Sequence, residues 1–151
     1  RHLEPAPVSK ELFQKVEAVV IHALDTLEIK NSASHSEIKI DDSGNIKIIE
    51  IGSRMGGDAI GSDLVRYSTG VDFVRAVIQV ACGAEPDLTP VCEACHAEAR
   101  FILTEDDLKE FRRMQNEEPG RILNIVDDKH LNLIGRTTDS SNRAGCYIVR
   151  V

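Results

Sequence analysis

Two carboxylates and a guanidinium are the residues of this chain best placed to do chemistry. They lie in the stretch His35 to Asp58, HSEIKIDDSGNIKIIEIGSRMGGD. Glu37 and Glu50 fall on either side of a turn cluster, Asp42-Ser43-Gly44-Asn45. Ile38 and Ile40 before it, and Ile46 and Ile48 after it, alternate with polar residues, which is the period of a strand. Two antiparallel strands joined this way can bring Glu37 and Glu50 to one ligand. Two carboxylates completed by phosphate oxygens suit Mg²⁺, which keeps octahedral oxygen ligation and is rarely enclosed by protein alone. Arg54 follows, and its planar fork matches phosphate or carboxylate. Gly56 and Gly57 leave backbone N–H groups open to an anion. His35 and Lys39 flank Glu37 at two-residue spacing, hence on its face. His35 would lie near a substrate, and the Lys39 ammonium could sit against phosphate. Each residue alone also reads as a solvated strand face or an edge histidine. The joint pattern with Arg54 and the glycines reads as a site.

These groups need a frame. Ser9 can cap a helix from Lys10 to Leu24, whose apolar residues recur at helical spacing. The segment before it carries Pro5 and Pro7 and reads as a connection that cannot be helix interior. After Asp58, residues Ala59 to Tyr67 suggest a short helix, with Asp58, Ser62 and Asp63 as candidate caps. Val71 to Cys82 is a second amphipathic helix ended by Gly83. The run Ala84 to Pro90 is a linker. Beyond it the expected order is a strand within Ala94–Leu103, then a helix opened by the capping box Thr104-x-x-Asp107. Strands at Arg121–Val126, Leu131–Gly135 and Gly145–Val151 follow, with a loop from Thr137 to Arg143 before the last.

The totals bound the function. The chain has 151 residues, 42% hydrophobic and 28% charged, with a formal net charge of −7. That balance argues against nucleic acid or an anionic membrane as the main partner. No apolar run approaches the ~20 residues of a membrane span. Cys92-Glu93-Ala94-Cys95-His96 has haem-attachment spacing and resembles half a zinc site, with Cys82 and Cys146 as remote partners. No second pair has matching spacing, so we read all four as reduced thiols in a cytoplasmic protein.

The run from Glu37 through IIEIGSRMGGD resembles the metal-and-phosphate end of the ATP-grasp ligases, a family that includes biotin carboxylase, carbamoyl-phosphate synthetase and the amino-acid ligases. The resemblance extends from about Pro5 to Gly83 and more loosely to the C-terminus. It implies an α+β fold, the C-terminal half of an ATP-grasp domain over residues 1–83, followed by a small β-rich subdomain over 84–151. It implies ATP with Mg²⁺ or Mn²⁺ as cofactors, the metal on Glu37 and Glu50, and Lys39 beside the nucleotide. Arg54 would be the catalytic cation steadying an acyl phosphate. His35, Gly56, Gly57, Asp58 and Arg143 would face the substrates. Two positions depart from the pattern. Many members have Asn where this chain has Gly52, which leaves the metal count open, and many have an apolar residue in place of Lys39. The implied reaction is ATP-dependent joining of a small-molecule carboxylate to an amine or thiol through an acyl phosphate. An amino acid is the first substrate expected, and a carbamoyl-phosphate-like or purine-precursor substrate the second. No lysine-bearing phosphate loop precedes the hairpin. The chain, which starts Arg-His rather than with Met, is therefore expected to be part of a longer ligase, inactive without its N-terminal half. The reading leaves room for a homo-oligomer. The alternative is a non-catalytic binding domain that reuses half the scaffold.

Overall fold

The computed structural model describes residues 1–135 and 143–151. Along the chain these form β1 (His2–Glu4), α1 (Lys10–Thr26), β2 (His35–Ile40), β3 (Ile46–Gly52), α2 (Val65–Thr69), α3 (Phe73–Ala81), β4 (Ala97–Ile102), α4 (Glu105–Glu117), β5 (Ile122–Asp127) and β6 (Gly145–Arg150). The mixture is α+β, as the sequence suggested, with every strand pair antiparallel.

Alternation along β4 and β6 builds the centre. Ile102, Tyr147 and Val149 project to one side and pack with Leu108, Phe111 and Met114 of α4. Ala97, Ala99 and Ile148 project to the other and pack with Leu64. A strand buried on both faces needs apolar residues at nearly every position. β4 departs from this at Glu98, which is buried and paired with Arg100 at 2.6 Å and Arg1 at 3.2 Å. The sheet runs β1-β4-β6-β5, while β2 and β3 form a separate hairpin.

α4 is fixed at its start by the expected capping box. Thr104 accepts from the Asp107 N–H, and Asp107 accepts from the Thr104 N–H. Ser9 caps α1 through the Leu12 N–H, and Asp72 caps α3 through the Arg75 N–H. Three expectations are corrected. Residues 1–8 are not only a connection: His2–Glu4 pair with Ala97–Ala99 as an edge strand. Leu131–Gly135 is not a strand but contains a 3₁₀ turn, Leu131–Leu133, and Leu131 and Ile134 pack against the α4 side of the core. The short helix after Asp58 begins as a π-turn, Ile60–Leu64, before α2. Ala59, at φ +63°, stands at its N-cap without any side-chain cap. The loop Thr137–Arg143 lies outside the described residues except for Arg143.

β1 belongs to the sheet of residues 97–150, and Leu64 packs into it, so the regions expected as 1–83 and 84–151 share a sheet and a core. Among the described residues no helix is long and apolar enough to cross a membrane.

Candidate functional site

Strict alternation along Ile46-Lys47-Ile48-Ile49-Glu50 would put Glu50 on the isoleucine face, away from Glu37. The hairpin avoids this with a bulge. Ile40 pairs with Ile46, Lys39 with Lys47 and Ile38 with Ile48, then the register shifts by one residue. Glu37 consequently stands directly opposite Glu50, and His35 opposite Gly52. An extra residue turns the rest of a strand over, and here Ile49, 63% exposed, is that residue.

One face of the hairpin therefore carries three rows: His35 with Gly52, Glu37 with Glu50, and Lys39 with Lys47. Directly opposed partners share a face, with Cβ atoms about 5 Å apart. The other face carries Ile38, Ile40 and Ile46, half-buried, and α1 packs against β3. Each carboxylate has an organic cation or imidazole nearby. His35 Nε2 is 3.7 Å from Glu37 Oε1, and Arg54 Nη2 is 3.8 Å from Glu50 Oε1. The Arg54 side chain lies across Gly52, its Cγ 3.4 Å from where a Cβ would stand. Gly56 permits a closer approach, since a Cβ there would sit 2.9 Å from His35 Nδ1 and 3.1 Å from Ile60 Cγ2. The hairpin and the loop meet over a cleft of about 510 Å³, lined by Glu37, His35, Arg54, Gly57, Asp58 and also His2.

Asp58 closes the cleft on one side. It takes two hydrogen-bonded ion-pair contacts from Arg143, at 2.9 and 3.1 Å. Arg143 in turn lies 4.0 Å above the Phe101 ring. The same Asp58 and Arg143 line a smaller cavity of about 260 Å³, shared with Asp127, His130 and Cys146. Burial pushes the Cys146 thiol up to about 11. Burial also raises Glu4, behind the loop, against the pull of the Ser68 hydroxyl, which donates to it at 3.2 Å, and of His35.

The structure thus brings Glu37, Glu50, Arg54, His35, Gly57 and Asp58 together, and sets Lys39 one row away from the carboxylates. Arg143 touches this group through Asp58. Sequence reasoning missed Lys47, although its alternation with Ile46 and Ile48 was readable. It missed His2 and Phe101 entirely, because no local pattern relates them to the loop. The four cysteines are free thiols. Among the described residues no three His, Cys, Asp or Glu side chains gather as a metal cage. A divalent cation on Glu37 and Glu50 would need further oxygens from a ligand and water. Mg²⁺ takes ligands in this way, and the exposed, directly opposed carboxylate pair fits it.

No protein-family model matches the sequence, and no curated protein does. Solved structures match the fold. Phosphoribosylglycinamide synthetase from Anaerococcus prevotii superposes with a TM-score of 0.77 at 20% identity, over 99% of this chain and 39% of that one. The L-amino acid ligase from Bacillus licheniformis gives 0.71 at 22% identity, over 97% and 38%. An ADP complex of purK, the N5-carboxyaminoimidazole ribonucleotide synthetase, gives 0.67 at 18% identity, over 99% and 36%. The chain spans somewhat over a third of the length of these three.

Proposed function

We propose that this chain, whose fold is the C-terminal part of the ATP-grasp ligase fold, supplies the metal-and-phosphate side of an ATP-dependent carboxylate–amine ligase. The observation that carries the reading is the bulge-set opposition of Glu37 and Glu50 beside Arg54 and the Gly56-Gly57 loop. One neighbour's structure is an ADP complex, which supports a nucleotide as the ligand here.

In this reading Glu37 and Glu50 would hold Mg²⁺ or Mn²⁺, completed by ligand and water oxygens. The bound cation supplies charge neutralisation across the nucleotide phosphates. Lys39, with Lys47 opposite and one row from the carboxylates, would offer ammonium charge to phosphate oxygens. Arg54, exposed and 3.8 Å from Glu50, would offer its fork to a phosphoryl group in the cleft, where added negative charge favours it. The Gly57 N–H and His35 face the acceptor side of the cleft. An amine then displaces phosphate from the acyl phosphate, forming the C–N bond. An amino acid is the favoured carboxylate, with a purine precursor next. The fold neighbours are an L-amino acid ligase, a phosphoribosylglycinamide synthetase and an N5-carboxyaminoimidazole ribonucleotide synthetase. The remaining part of the same protein would supply the other side of the nucleotide site, and this chain alone would not turn over.

Titration of this chain with Mn²⁺-ADP, followed by the loss of free-Mn²⁺ resonance signal, tests the reading. Glu50→Gln and Glu37→Gln should each weaken binding by about 10- to 100-fold. Binding by both variants as tight as wild type refutes it. A second reading, a binding domain without catalysis, draws on Gly52, where Arg54 rather than a side-chain ligand covers the strand. That domain would bind Mn²⁺-ADP in the same way, but Glu50→Gln would leave the longer protein's activity unchanged.

A further inference from the structure

The segment that ends the glycine loop is strained, and no side chain of the loop caps the turn that follows it. Asp58 and Ala59 lie at φ +51° and +63°, a left-handed conformation that costs a side-chain-bearing residue free energy and persists only where surroundings impose it. The following π-turn begins immediately, with Ile60 N–H donating to Gly57 O at 2.8 Å and Gly61 N–H to Gly56 O at 3.2 Å. No side chain caps it. A further constraint comes from far along the chain. Arg143, just before β6, grips both Asp58 oxygens at 2.9 and 3.1 Å, and it is only 22% exposed.

Arg143 is itself fixed. Its guanidinium stacks over Phe101 of β4 at 4.0 Å, and His2 of β1 meets the same ring edge-on with centroids 5.4 Å apart. His2 Nε2 then turns back to within 3.6 Å of Asp58 Oδ2, buried and without a hydrogen-bond partner. His2 of β1 and the segment leading into β6 thereby meet one carboxylate of the glycine loop, both backed by Phe101 of β4. A bidentate guanidinium pair fixes orientation as well as distance, so rotating Asp58 out of this arrangement would break both contacts together.

We infer that Arg143, through Asp58, is a positioning residue: the pair latches the glycine loop to the sheet and sets the Gly57 and Arg54 side of the cleft relative to Glu37. Arg143 does not line the cleft beside Glu37 and Arg54, while Asp58 lines both that cleft and the smaller cavity. The part of this inference that concerns the cleft's ligand rests on the metal-nucleotide reading above. The latch itself does not.

The experiment uses residues 1–151 and two readouts. Peptide-resolved hydrogen exchange reports the amides of Ile60 and Gly61, and Mn²⁺-ADP titration reports the cleft. Arg143→Met, which keeps the stem and removes the charge, should speed exchange at 60–61 by about tenfold. Exchange in α4 and β6 should stay as in wild type. Arg143→Lys should recover part of the protection, because one ammonium can replace only part of a bidentate contact. Asp58→Asn, which tolerates the left-handed conformation, should repeat the effect if Arg143→Met fails to fold. Mn²⁺-ADP binding should weaken by about three- to tenfold in the same variants. Wild-type exchange at 60–61 in both variants overturns the latch, as does global unfolding of both. Faster exchange with unchanged Mn²⁺-ADP affinity overturns its role in setting the cleft. If wild type binds no Mn²⁺-ADP while loop exchange still responds, the functional reading fails and the latch stands.

Discussion

Glu50 stands among charges that do not satisfy one another. Directly opposite is Glu37, and one row away Lys39 faces Lys47. Like charges directly opposite destabilise a hairpin, so this face carries two repulsive rows, the carboxylate row offset only loosely by His35 at 3.7 Å and Arg54 at 3.8 Å. A metal-bound polyphosphate relieves both rows together, which neither a bare metal nor a bare phosphate does. Removing the repulsion should therefore help the free chain and harm binding. We expect Glu50→Gln to raise the melting temperature by about 1–3 °C while weakening Mn²⁺-ADP binding by about 10- to 100-fold; a lowered melting temperature would mean that the Arg54 contact at 3.8 Å outweighs the Glu37 repulsion. Cys146 gives a second prediction. Burial favours its neutral thiol, pushed up to about 11, so at pH 8 about one thiol in a thousand is thiolate. Alkylation followed by peptide mass spectrometry should find Cys146 modified far more slowly than the exposed Cys82 and Cys92. Its rate should climb about tenfold per pH unit from pH 8 to 10. A rate already level by pH 9 would contradict the burial.

Among the elements, the hairpin shows how little must be added to a pattern to change its meaning. Ile46-Lys47-Ile48-Ile49-Glu50-Ile51-Gly52 reads as alternation spoiled by one doubled isoleucine. The bulge at Ile49 absorbs the extra residue and leaves Lys47, Glu50 and Gly52 together on one face. Deleting one of the two isoleucines leaves I-K-I-E-I-G, which needs no bulge to reach the same arrangement. The deletion should keep Mn²⁺-ADP affinity within about threefold; a loss beyond tenfold would show that the bulge aims the Glu50 side chain rather than only choosing its face. In α4, Thr104→Ala removes the cap and should cost about 1 kcal/mol, read as a urea midpoint shift without a change in slope. Elements with their own periodicity or caps, α1, α4 and the two hairpin strands, were legible in the sequence for that reason. The strand expected at Leu131–Gly135 was not one, because Leu131 and Ile134 are apolar to plug the core from a 3₁₀ turn. β1 escaped notice because three residues carry no period and its partners lie at 97–99. At the site, the opposed carboxylates and Arg54 could be read locally. The Asp58–Arg143 contact, made across 85 positions, left no local mark.

Across the whole molecule, burial is unevenly shared, and the site lies on the thin side. The largest fully buried side chains are Phe111, Leu64, Ile102, Met114, Ile148 and Val149, all in the four-stranded sheet, α4 or the π-turn beneath it. α1 buries none of its residues, and Phe13, Ile21 and Leu27 in and after it are more than half exposed. Regions with few buried contacts open at lower free energy than the global core. Limited proteolysis should accordingly cut first in α1 and around the hairpin, in residues 10–54, and leave a resistant fragment that holds β4, α4, β5 and β6. Leu64 couples the two regions, since it follows the glycine loop and packs on Ala97, Ala99 and Ile148. Leu64→Ala should cost about 2–5 kcal/mol and make the resistant fragment labile too. A ligand that binds only the closed hairpin adds about 2.7 kcal/mol at a hundredfold excess over its dissociation constant. Mn²⁺-ADP at that excess should slow cleavage in the hairpin by about a hundredfold if cleavage requires opening there. Protection confined to α4 or β6, with the hairpin cut as fast as before, would place the nucleotide elsewhere on the molecule and overturn the assignment of Glu37 and Glu50.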